Sequence, residues 1–121
     1  MQNIFDPLVI RGKSLTPIVQ GGMGVGVSAS GLSSAVAREN GIGTIASVDL
    51  RHLHEDLLAE SQINPSEEKY TSLNCTALDR EIQKAKSASE GKGLIAVNVM
   101  KRSKTTPRMS ARLANQGRMR L

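Results

Sequence analysis

Pro17-Ile18-Val19-Gln20-Gly21-Gly22-Met23-Gly24-Val25 joins a short β-branched apolar run to a glycine-rich loop that carries one methionine. Such a run, bounded by Pro17 near its start and by Gly21-Gly22 at its end, predicts a buried strand over Leu15–Gln20 that opens directly into a loop. Glycines bring main-chain N–H groups within reach of a ring or a phosphate, and Met23 adds a polarizable apolar contact. The loop is therefore a candidate ligand site, and it points to a cofactor.

Beyond the loop, Ser28 or Ser30 can cap a helix whose apolar positions Leu32, Ala35 and Val36 recur at helical spacing, with Asn40-Gly41 as its stop. Ile42–Val48 reads as a second buried strand, completing a strand–helix–strand unit. Asp49 can cap a short helix through Leu50, Leu53, Leu57 and Leu58, which Asn64-Pro65-Ser66 breaks. A further helix is expected over Thr76–Glu90, with Ala77, Ile82 and Ala85 inward and Gly91 and Gly93 ending it. Leu94–Met100 is the strongest strand signal, and its near-continuous apolar character suggests a parallel strand covered on both faces. Strands alternating with helices predict a parallel α/β fold.

Three segments, Pro17 to Gly24, Gly31 to Val48 and Gly93 to Met100, resemble the nitronate monooxygenase family, FMN-dependent enzymes also called 2-nitropropane dioxygenases, which include flavin-dependent enoyl-acyl-carrier-protein reductases. The resemblance implies a (β/α)8 TIM barrel of which residues 1–100 form the first strands and helices, because a closed barrel needs about 200 to 250 residues and the chain has 121. It also implies FMN as cofactor, an alkyl nitronate and O2 as substrates, and Gly22, Met23, Gly24 and Asn98 as residues along the flavin ring. Asn98 is the one amide in the apolar third strand, near the end at which parallel α/β folds place their ligands. Gln20 is expected to have a structural role. The family's catalytic histidine lies on a later strand, so no catalytic residue is assigned.

Other readings stand beside this one. Gly24-Val25-Gly26-Val27-Ser28-Ala29 satisfies the G-x-G-x-x-G/A form, and a dinucleotide fold would use Asp49 on a ribose. His52 and His54 are two apart and cannot easily share one metal ion on a helix, so both read as solvated charges and no metal site is assigned. Cys75, the single cysteine, reads as a structural or free thiol at a helix start and not as a nucleophile. The net charge of +5 lies wholly in residues 101–121, which hold 7 Lys/Arg and no acid, against 9 Lys/Arg and 11 Asp/Glu in residues 1–100. A basic tail admits a nucleic-acid-binding module, but it lacks aromatic side chains for base stacking.

The family pattern stops at Lys101. Read one nucleotide out of register with suitable codons, residues 102–121 continue it, so the tail is expected to be frameshifted and disordered, and the chain an inactive fragment. An open sheet edge would then favour self-association. The absence of an apolar run of about 18 residues or of a cleavable leader predicts a cytoplasmic protein with no membrane partner.

Overall fold

The computed structural model describes residues 4–100, so residues 101–121, on which the expectation of a disordered basic tail falls, lie outside the described part. The chain opens with a hairpin that the sequence reading missed. Strands β1 (Leu8–Ile10) and β2 (Lys13–Leu15) pair antiparallel around Arg11-Gly12, both at positive φ (50° and 76°). Two left-handed residues match the twist of a two-residue hairpin. Lys13 Nζ donates to the carbonyls of Gly91 and Gly93, each at 3.0 Å, and fastens the hairpin to a distant turn.

Helix α1 (Ser30–Arg38) leads through Asn40, at φ 63°, into β3 (Ile42–Ala46). A single turn of 3-10 helix (Leu50–Leu53), α2 (Glu55–Ser61) and α3 (Glu67–Ala88) then carry the chain to β4 (Leu94–Asn98), which lies parallel to β3 with Ile42 opposite Leu94 and Ala46 opposite Asn98. The fold is mixed α/β with small sheets, and the described residues form no closed barrel.

The expected first strand is corrected in part. Leu15 belongs to the hairpin, where it is buried, while residues 18–20 lie beside β3 through one parallel bridge: Ile42 N–H donates to the Ile18 carbonyl and Gln20 N–H to the Ile42 carbonyl, both at 2.9 Å. Ile18 and Val19 are each 60% exposed, because this segment is an edge and no strand of the described chain covers it.

Helix α1 also buries a different face from the one expected. Ser33, Ser34 and Ala37 point inward, whereas Leu32 is exposed. The reason is close approach: a Cβ on Gly43 would stand 1.9 Å from the Ser33 carbonyl oxygen, so the helix lies almost on the strand and only small side chains fit between. Asp49 does not cap a helix; it adopts a left-handed conformation before the 3-10 turn, and His54 separates that turn from α2.

Helix α3 begins at Glu67 rather than Thr76, because Ser66 accepts a hydrogen bond from Lys69 N–H and Glu67 and Glu68 favour the positive end of the helix dipole. Cys75 is consequently an exposed mid-helix residue. Strand β4 ends at Asn98 and is half-buried along its length, not covered on both faces. The core lies between sheet and helices and consists of Ile45, Leu50, Leu57, Leu73, Ala77 and Ala85, with Leu78, Ile82 and Ile95 packed against it. Among the described residues no helix is long and apolar enough to cross a membrane.

Candidate functional site

Parallel strands end together, and the loops that succeed them gather at one edge. Here the loop after Gln20, the end of β3 and the end of β4 meet. Gly22, Gly24, Ala46, Ser47, Val48, Asn98 and Met100 line a notch of about 50 Å³. The structure thus brings together three of the four residues expected at the site, Gly22, Gly24 and Asn98. Met23 sits in the same loop, 51% exposed and outside the notch lining.

The contacts are close. A Cβ on Gly22 would stand 2.9 Å from Asn98 Nδ2, and one on Gly24 would stand 2.1 Å from Val48 Cγ1. Any side chain at either position would fill the notch or push the strand ends apart. Asn98 is held by its backbone, whose carbonyl accepts from Ser47 N–H at 3.0 Å, and its side-chain amide makes no hydrogen bond within the described residues.

Behind the loop, Gln20 is bonded to three residues, Gly21 and Ser28 of the loop itself and Thr44 of β3. Its Oε1 accepts from Thr44 N–H at 2.9 Å, and its Nε2 reaches the Gly21 carbonyl at 2.7 Å, Ser28 Oγ at 2.9 Å and the Thr44 carbonyl at 3.2 Å. The structural role expected for Gln20 is what the geometry displays. Ser28, fully buried, takes the Met23 N–H at 2.8 Å and does not cap α1, whose N-cap is Ala29. Sequence reasoning missed Ser28 as a loop anchor; the signal was a serine eight residues beyond Gln20 that the helix did not need.

The start of α1 is also engaged. Ser30 N–H donates to Glu81 Oε2 at 2.8 Å, and Glu81, only 4% exposed, places Oε1 3.2 Å from His54 Nε2. His54 is therefore not the solvated charge expected from the sequence: it is buried against a carboxylate from α3. Burial pushes the Glu81 carboxyl up, but hydrogen bonds from Ser30 together with Lys84 and His54 outweigh it and hold the group below its ordinary value. No cluster of three metal-ligating side chains exists among the described residues.

Asp49 turns toward Arg51, whose guanidinium hydrogen-bonds it and lies 4.5 Å over the Tyr70 ring. That partner lowers the Asp49 carboxyl despite opposition from burial. A second, larger hollow of about 340 Å³ lies away from the strand ends, lined by Thr16, Ile18, Ala35, Val36, Glu39 and Gly41. Its lining is almost wholly apolar, with Thr16 and Glu39 as its polar residues.

Compared with protein-family models, with curated proteins and with solved structures, the chain finds no match in any of the three.

Proposed function

We propose that residues 4–100 form the opening β/α units of a flavin-binding barrel of the nitronate monooxygenase type, and that the notch at the strand ends is its contact with the flavin ring. The observation that carries this reading is the meeting of Gly22, Gly24 and the Asn98 amide, unpartnered among the described residues, at the C-terminal edge of a parallel sheet. Residues distant in sequence are brought into contact where such folds hold ligands.

The donor set suits the edge of a planar heterocycle. Gly22 and Gly24 bring main chain to the surface without Cβ atoms, the Asn98 amide can donate and accept, and Met23 and Met100 supply soft apolar contact. A notch of about 50 Å³ takes one edge of a ring and not a tricycle, so the remainder of the ring would lie over the open loop. Bound FMN would supply the oxidation of an alkyl nitronate by O2, in which two nitronates and one O2 give two carbonyl compounds and two nitrite ions. The chain's own residues orient the ring; among those described, none stands ready as a base for the substrate. Binding without turnover is therefore expected of this chain alone.

The dinucleotide reading is weaker on physical grounds. It needs free N–H groups at the start of α1 for a pyrophosphate and a free Asp49 carboxylate for a ribose. Glu81 takes the Ser30 N–H, and Arg51 takes Asp49.

Titration of FMN fluorescence tests the proposal. Quenching by the wild type, weakened about five- to tenfold in Asn98→Ala through loss of one hydrogen-bonding group, is the expected result. Equal quenching by both proteins would remove Asn98 from the site, and none by either would remove the flavin.

A further inference from the structure

Ser28 and Gln20 form a saturated polar knot beneath the loop. The Ser28 hydroxyl accepts from Gln20 Nε2 at 2.9 Å and from Met23 N–H at 2.8 Å, and it donates to the Gly21 carbonyl at 3.3 Å. A hydroxyl has one proton and two lone pairs, so all three are in use. Gln20 is equally committed, because turning its amide over would set NH2 against the Thr44 N–H that Oε1 now accepts. Both residues face inward, and neither lines the notch.

The effect of the knot on Gly22 is a matter of peptide planarity. In a trans peptide the C=O and N–H point in opposite directions, and the one cis peptide among the described residues is Gly24–Val25. Drawing the Gly21 carbonyl inward therefore turns the Gly22 N–H outward. Drawing the Met23 N–H inward turns the Gly22 carbonyl outward as well. Gly22 thus offers a donor and an acceptor side by side, at a residue that lines the notch, and neither group has a protein partner among the described residues.

We infer that the Gln20–Ser28 knot is a positioning device that presents both backbone groups of Gly22 to a ligand edge carrying an acceptor beside a donor, the chemistry of a cyclic imide or lactam. This ligand class rests on the reading of the loop as a flavin-ring site; the knot itself does not.

Amide hydrogen exchange on the 15N-labelled full chain, then titration with lumiflavin, separates the two. In Ser28→Ala the Met23 amide is expected to exchange about tenfold faster while Ile45 keeps its protection, and in Gln20→Met the same loss is expected at Thr44. Lumiflavin should bind both variants about tenfold more weakly than the wild type, and N3-methyl-lumiflavin, which lacks the imide proton, should bind the wild type no better than lumiflavin binds the variants. Unchanged Met23 exchange in Ser28→Ala, or lumiflavin affinity equal to the wild type, would overturn the positioning role. Faster Met23 exchange in Ser28→Ala with no lumiflavin binding by the wild type would uphold the knot and overturn the flavin reading behind the ligand class.

Discussion

Glu81 ties α3 to the first N–H of α1 and to His54 at the entrance of α2, and it does so from inside the protein. A buried carboxylate survives only where its partners outweigh desolvation. Because its folded pKa lies below the value of the unfolded chain, its contribution is fully present above the unfolded value and is lost as pH falls through the folded one. The wild type should therefore lose stability from about pH 5 downward, and Glu81→Gln should flatten that slope. Urea unfolding at a series of pH values checks this, and identical slopes in the two proteins would contradict it. The place of Asn98 at the end of β4 was legible in the sequence because one amide in an apolar strand stands out. His54 was not, because its burial depends on a carboxylate that arrives from another helix.

Among the elements, α1 packs through small residues, the Ser33 backbone against Gly43 of β3 and Ala37 against Gly93 just before β4. The helix was legible in extent but not in phase: apolar spacing favoured Leu32 and Val36, yet close packing on a glycine admits only small side chains. Gly43→Ala should consequently cost about 3 kcal/mol, since the new methyl meets backbone that cannot swing away. Gly31, on the same helix, has nothing within 4 Å of a built Cβ, so Gly31→Ala should stabilise by about 0.5 to 1 kcal/mol through helix propensity. Chemical denaturation of the two variants decides the point, and costs of similar size would mean that the close contact does not govern the packing. The start of α3 escaped detection because Asn64-Pro65-Ser66 signals a break, while Ser66 also caps the next helix.

Over the whole molecule, residues 18–20, β3 and β4 give a narrow parallel arrangement with helices packed against it, and the alternating bonds of Ile18 and Gln20 to Ile42 leave the Val19 backbone groups facing away from β3. An exposed β-branched edge of this kind invites pairing with another strand. The protein should associate as its concentration rises, and Val19→Lys should reduce association without loss of helix content, as light scattering and circular dichroism would report; association unaffected by the substitution would place the contact elsewhere. The alternation of strands and helices was legible because each apolar run is bounded by glycine, proline or asparagine. The hairpin was not, because Arg11-Gly12 lies between strands of three residues, too short for a periodic signal. Whether the strand ends form a flavin-ring site is decided by adding FMN to the 15N-labelled protein and mapping the amide shifts. A flavin seated at the notch should concentrate those shifts at Gly22, Met23, Gly24 and Asn98. Shifts confined to the apolar hollow around Thr16, Val36 and Gly41, or no shifts at all, would mean that the strand ends are not its site.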